Sequence, residues 1–198
     1  MENHTARKTI CIIITGGTVL ETASSRVLGV KSRADIAAWV RAMPELTLIK
    51  THLEIQIFHN GSDADLKPSM WLKTAQFIDE HKSDYAGFVI LSGICNIPYY
   101  AQAMMLMLEN PTFPIVFTGS QLPDYLLHNS AGVKDISLVS QDAGIRANLV
   151  NAIHVVEKGI NGIYVVFGEK LIFPLALQLK YPLAVIPFSY EIGGVVGK

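Results

Sequence analysis

The stretch Thr9-Ile10-Cys11-Ile12-Ile13-Ile14-Thr15-Gly16-Gly17-Thr18 decides the fold. Its first part is an unbroken apolar run rich in β-branched residues, the pattern of a strand buried on both faces. It then breaks at paired glycines, which let the backbone turn sharply and come close to a neighbour or a ligand. A strand of this kind belongs in a parallel sheet covered by helices, so strands and helices should alternate along the chain.

They do. Ser32 followed by Asp35 has the capping-box pattern and opens a helix with Ile36, Val40 and Met43 on one face, stopped by Pro44. Residues 46–58 alternate in part and read as a second strand. Pro68 suits a first helical position, and Trp71, Leu72, Ala75 and Ile78 follow at helical spacing. Residues 87–91 read as a third strand, 98–109 as a Met-rich helix and 114–118 as a fourth strand. Residues 142–157 read as a helix with Ala147, Val150, Ile153 and Val156 inward, and 162–167 as a fifth strand. The predicted class is α/β, a parallel sheet with helices on both faces in three layers. Ligands bind such sheets outside the carboxyl ends of the strands. Those ends here are Thr15-Gly16-Gly17-Thr18, Ser92-Gly93 and Thr118-Gly119-Ser120-Gln121. Residues 123–141 form one long polar stretch without a periodic pattern.

Composition narrows the function. The chain has 198 residues, 50% hydrophobic and 17% charged. That length buries about 70% of the unfolded surface and needs no disulfide or metal staple. Sixteen Lys+Arg against seventeen Asp+Glu give a net charge of −1, which argues against a nucleic-acid binder. The apolar run 10–14 is too short for a signal segment. The apolar stretch 173–188 is interrupted by Gln178 and Lys180 and broken by Pro174, Pro182 and Pro187, so it falls short of a membrane helix. Cys11 and Cys95 show no CxxC spacing, hence no disulfide framework and no metal site. The expectation is a cytoplasmic protein with no nucleic-acid or membrane partner.

The glycine turn after the first strand carries the chemistry. The hydroxyl of Thr18 can attack a carbonyl carbon if a base takes its proton. It can equally do no more than hydrogen-bond the backbone. No G-x-G-x-x-G occurs, and residues 193–198 only mimic a P-loop, because no Ser or Thr follows Lys198.

The run 12–19 resembles the opening strand and first active-site loop of the asparaginase/glutaminase family. Further segments resemble it in order: Arg41-Ala42-Met43-Pro44-Glu45, Gly87-Phe88-Val89-Ile90-Leu91, Phe117-Thr118-Gly119-Ser120-Gln121-Leu122-Pro123 and Asn148-Leu149-Val150-Asn151-Ala152. The resemblance runs over residues 8–198. It implies a flavodoxin-like sheet in residues 1–190, hydrolysis of the side-chain amide of L-asparagine or L-glutamine, and no cofactor. It makes Thr18 the nucleophile, with Gly16 and Gly17 beside it.

The same resemblance exposes departures. The family's His-Gly-Thr-Asp-Thr loop reads Ser92-Gly93-Ile94-Cys95-Asn96 here. Ile94 replaces a catalytic Thr, and Cys95 replaces an Asp that holds the substrate's amino group. No base is visible beside Cys95, so an inert buried thiol is expected rather than a nucleophile. The substrate-clamping serine falls at Ser62 or Asp63; alternatively these residues form an Asx-type turn before the helix at Pro68. Lys180 stands closest to the catalytic lysine, or is a plain surface lysine. The segment 124–140 reads as a loop insertion. Residues 191–198 read as a truncated linker, with the family's second domain absent.

The candidate residues are therefore Thr18 and Lys180 for catalysis, and Gly17, Ser62, Asp63, Ser92, Gly93 and Cys95 for substrate binding. Two functions stay open: an asparaginase-type amidohydrolase weakened by Ile94 and Cys95, and a non-catalytic relative that binds a small molecule or a partner. A third, weaker one is different chemistry at Cys95. The expected ligand is small and amino-acid-like. The expected assembly is a homo-oligomer, a dimer, covering apolar surface that a second domain would otherwise cover.

Overall fold

In the computed structural model the described residues are 9–17, 21–24, 27–30, 32–61, 66–120, 144–180, 187–189 and 195–197. Strand β1 (Thr9–Thr15) is followed by the short strands β2 (Glu21–Ser24) and β3 (Val27–Val30), helix α1 (Arg33–Arg41) and strand β4 (His52–His59). Helix α2 (Pro68–His81), strand β5 (Gly87–Leu91), helix α3 (Ile97–Met107) and strand β6 (Pro114–Thr118) come next. Helix α4 (Ile145–Glu157) leads to β7 (Gly162–Phe167), β8 (Lys170–Ile172), β9 (Gln178–Leu179), β10 (Phe188–Ser189) and β11 (Val195–Gly197).

The main sheet has seven strands in the order β11-β8-β7-β6-β5-β1-β4. Strands β4, β1, β5, β6 and β7 pair in parallel. Side chains alternate across β1, and that alternation builds the layers. Ile10, Ile12 and Ile14 pack with Ile36 and Val40 of α1 and with Leu149, Ile153 and Val156 of α4. Cys11 and Ile13 face the other way, toward Ala75 and Ile78 of α2 and Ile97, Tyr100 and Met104 of α3. The predicted three-layer α/β/α class is what the chain forms. Burial pushes the Cys11 thiol up to about 12, with Glu54 adding to it, so this cysteine is a core side chain.

Local chemistry explains the element ends. The Ser32 hydroxyl accepts from the Asp35 amide at 3.2 Å, and the Asp35 carboxylate accepts from the Ser32 amide at 3.3 Å. This capping box starts α1 as predicted. Arg33 then donates from Nη1 to the Ile57 carbonyl at 2.5 Å, tying α1 to the outer strand β4.

Three sequence expectations need correction. Residues Pro44–Leu48 form a 3-10 turn, with Thr47 Oγ1 donating to the Pro44 carbonyl at 2.6 Å, so β4 begins only at His52. Proline at the first position favours a helical turn over a strand. In α4 the buried row is Ile145, Asn148, Leu149, Ala152, Ile153 and Val156, while Ala147 and Val150 are only partly buried. A polar residue, Asn148, occupies a core position and hides the true face from a hydrophobic count. Finally, the sheet is not wholly parallel: β8 pairs antiparallel with β7, and β11 antiparallel with β8.

Candidate functional site

Within the parallel part, the chain steps from β1 outward to β4 and then back across to β5, β6 and β7. The direction of winding therefore reverses between β1 and β5. At such a switch point the loops leaving adjacent strands diverge and open a crevice at their carboxyl ends. The residues there are Gly16 and Gly17 after β1, Asn60 and Gly61 after β4, Ser92 to Cys95 after β5, and Gly119 and Ser120 after β6.

These loops meet backbone to backbone. Gly16 and Gly17 have φ of 101° and 112°, which side-chain-bearing residues rarely adopt. The Gly17 amide donates to the Gly61 carbonyl at 3.3 Å. A Cβ on Gly16 would lie 2.7 Å from the Gly61 oxygen and 3.0 Å from His59 Cδ2. On Gly17 it would lie 2.7 Å from both the nitrogen and Cα of Gly93. On Gly119 it would lie 2.2 Å from the Ser92 carbonyl oxygen. No side chain separates these turns, so Gly17, Ser92 and Gly93, predicted from sequence, are brought together.

Threonines and asparagines lock the strand ends. Thr15 Oγ1 donates to the Leu91 carbonyl at 3.2 Å, and Thr118 Oγ1 to the Val166 carbonyl at 2.9 Å. Asn148, fully buried on α4, donates to the Gly119 carbonyl and accepts from the Gly168 amide, both at 2.8 Å. Asn151 donates to the Gly168 carbonyl at 2.9 Å. The loop after β6 and the turn after β7 are thus held by one helix.

Ser92 is fully buried, and its amide donates to the Thr118 carbonyl at 3.0 Å. Its Oγ is buried without a hydrogen-bond partner among the described residues, as are His59 Nε2 and Trp71 Nε1. A buried polar atom left unpaired costs about 1–3 kcal/mol, so each asks for an explanation. Ile94 is 8% exposed and packs with Ile97 and Tyr100 as an apolar wall. Cys95 is exposed, not buried as expected from sequence. The chain turns from Gly93 into α3, with the Asn96 and Ile97 amides both donating to the Gly93 carbonyl, and this turn puts Ile94 inside and Cys95 outside.

Lys180 has an exposed side chain and follows β9, which pairs with β10 rather than with the main sheet; its amide donates to the Pro187 carbonyl at 2.9 Å. Thr18, Ser62, Asp63 and the segment 124–140 lie outside the described residues. Among the described residues no group of three or more His, Cys, Asp or Glu could hold a metal ion. No helix among them is long and apolar enough to cross a membrane.

Sequence reasoning missed His59. In the β1–β4 register Ile14 pairs with Ile57 but Thr15 pairs with His59, so Phe58 is skipped. This bulge sets His59 in the row of Thr15, beside Gly16. A histidine directly before Asn60-Gly61 at a strand end was the available signal.

A family model described as the N-terminal domain of asparaginase matches residues 9–178. The chain is 35% identical over 109 residues to L-asparaginase 1 of Escherichia coli (strain K12), a match covering 54% of this chain and 28% of that protein. It is 27% identical over 124 residues to the L-asparaginase of Thermococcus kodakarensis, covering 63% of this chain and 34% of that one. The crystal structure of L-asparaginase I from Vibrio cholerae superposes with a TM-score of 0.76 at 27% identity, covering 96% of this chain and 53% of the other. The chain thus spans about half the length of that solved relative and a smaller share of the curated ones.

Proposed function

The chain belongs to the asparaginase family through the N-terminal domain that its residues 9–178 match, and from that premise we propose that it is a slow asparaginase-type amidohydrolase. Its substrate would be the side-chain amide of L-asparagine or L-glutamine, hydrolysed to the acid and ammonia. The observation that carries this reading is the packing of Gly17 on Gly93 at the switch point, with Ser92 buried beside them. This packing fixes the turn that leads to Thr18 against the turn after β5, so that residues from two strand ends are held side by side.

Thr18 follows Gly17 directly and would be the nucleophile. Its hydroxyl oxygen would bond to the amide carbon, the C–N bond would break with a proton passing to nitrogen, and ammonia would leave. Water would then split the acyl ester to the acid and restore the hydroxyl. Ile94 brings no hydroxyl and Cys95 no carboxylate, which accounts for the slow rate. Residues acting as a unit lose most of the rate when one is missing.

A second reading, a relative that binds without turnover, draws support from Ile94, which packs into the core cluster rather than presenting a polar group. Ammonia release from L-asparagine and L-glutamine, with Thr18→Ala as control, separates the two. Release abolished by that substitution supports the hydrolase. No release, with a ligand-dependent rise in melting temperature, leaves the binder.

A further inference from the structure

We propose that the pole of the sheet opposite the crevice carries a second site, which binds a neutral polyol such as a sugar ring with neighbouring hydroxyls. It shares no residue with the crevice and does not depend on the amidohydrolase reading.

Four adjacent parallel strands begin at that pole. Thr9 opens β1, Ala86 precedes β5, Phe113 precedes β6 and Asn161 precedes β7. Between these ends lies a depression of about 520 Å³, within the size range of small-molecule sites. Ser83 and Asp84 line it from the turn after α2, Thr112 from the connection after α3 and Asn161 from the turn after α4. All four are exposed, and none of their side chains has a hydrogen-bond partner among the described residues. The rings of Tyr85 and Phe113 line the same depression.

The wall is fixed before a ligand arrives. The Ala86 amide donates to the Thr9 carbonyl at 2.8 Å, and the Gly162 amide to the Phe113 carbonyl at 3.2 Å. The Asp84 amide donates to the His81 carbonyl at 3.0 Å, and the Tyr164 hydroxyl to the Asn161 carbonyl at 3.1 Å. Tyr85 and Phe113 both pack edge-on against the buried Phe88, with ring centroids at 5.4 and 5.8 Å. The Tyr85 hydroxyl is engaged by Glu54, so this ring offers a ligand its carbon surface. The polar side chains still to be ordered are short, and ordering them costs little entropy.

The lining selects the ligand. Its one charged side chain is the Asp84 carboxylate, and no Lys or Arg stands among the lining residues. An anion is therefore repelled. An apolar ligand strips water from four polar side chains and gives nothing back, which is costly. A polyol answers each of them. Asp84, an acceptor only, takes protons from two neighbouring hydroxyls, Ser83 and Thr112 give or take, and Asn161 does both at once. The bonds to the carboxylate are charge-assisted and the strongest of the set. A sugar ring also has a face of C–H groups, which suits the negatively polarised faces of aromatic rings. A small ammonium ion satisfies Asp84 and the rings, but it brings donors only and leaves the Asn161 amide N–H groups without an acceptor.

The test uses the full chain, isotope-labelled for amide resonances and titrated separately with D-glucose, D-galactose, myo-inositol, D-gluconate and methylammonium. At least one of the three polyols is expected to bind with a Kd on the order of millimolar and to shift the amides of Asp84, Thr112 and Asn161. Gluconate and methylammonium should each bind at least about tenfold more weakly than that polyol, for the unmatched charge and the unmet hydrogen bonds. Asp84→Asn should weaken the polyol about tenfold or more, and Asn161→Ala several-fold. Both side chains are exposed and unbonded, so neither substitution should lower the melting temperature of the free protein. No shift with any of the three polyols would overturn the site, as would shifts centred on Gly17 and Gly93. So would gluconate or methylammonium binding as tightly as the best polyol, or either variant binding it like wild type.

Discussion

Gly17 and Gly93 touch through their backbones: a single added carbon on Gly17 would sit 2.7 Å from the nitrogen and Cα of Gly93. The turn after β1 and the turn after β5 therefore share one small space. Gly17→Ala should destabilise the protein through both its φ of 112° and this collision. Gly159, with φ of 66° and nothing within 4 Å, supplies the control. Gly159→Ala should cost about 1–2 kcal/mol from conformation alone. Gly17→Ala should cost clearly more in urea denaturation; equal losses would mean that the close approach carries no weight.

Asn148→Ala should be among the more damaging core substitutions. It strands the Gly119 carbonyl and the Gly168 amide together, each now bonded at 2.8 Å. The expected loss is about 2–4 kcal/mol, from two buried backbone groups left unpaired. Asn148→Asp keeps the acceptor for Gly168 and loses the donor to Gly119, so hydrogen exchange at Gly168 should stay slower in it than in Asn148→Ala.

Acid should weaken the contact between the residue before β4 and the end of α4. The Thr51 hydroxyl, donating to Glu157 at 2.5 Å, holds that carboxyl below its usual range; partial burial opposes this, and His154 at 3.0 Å adds to the lowering. A carboxyl with a lowered folded-state pKa contributes stability above its unfolded value of about 4.3, and loses it as pH falls through the folded value. Unfolding free energy measured from pH 6 downward should therefore fall less steeply in Thr51→Val than in wild type. Identical slopes would show that Thr51 does not set the Glu157 carboxyl.

Ile94→Thr combined with Cys95→Asp should trade stability for rate. Ile94 is 8% exposed inside an apolar cluster, so a hydroxyl there should cost about 1–3 kcal/mol. Ammonia release from L-asparagine should rise on the order of tenfold or more, because a group able to handle a proton returns to the loop. A stability loss with no gain in rate would place the deficit elsewhere than in these two residues.

Strands β1, β5, β6 and β7 were legible because burial on both faces leaves little but apolar, often β-branched residues, and that pattern has few other meanings. The capping box before α1 was legible because its chemistry is local. What escaped depends on distant partners. Leu46 and Leu48 fit an alternating pattern, yet Pro44 draws them into a 3-10 turn. Asn148 looks like a surface residue until Gly119 and Gly168 stand beside it. Strand β8 is three residues long and gains its identity only by pairing with β7. In the candidate site, Gly17, Ser92 and Gly93 could be found from the positions where apolar runs stop. For His59 the letters offered only its place before Asn60-Gly61; its standing in the row of Thr15 comes from a one-residue shift in strand register, which carries no mark in the letters. Cys95 was misjudged because a turn's inside and outside are decided by the helix it enters.

The position of β1 has a consequence for how the molecule comes into being. It precedes both of its sheet neighbours, β4 and β5, in the chain, and the bond from Thr15 to the Leu91 carbonyl spans 76 residues. Such non-local closure is slow, because chain entropy is lost before the contact rewards it. The crevice is therefore not a local loop that can preform. It exists only once the middle of the sheet has zipped shut, and a small molecule lodged there would hold the whole nascent domain closed by mass action.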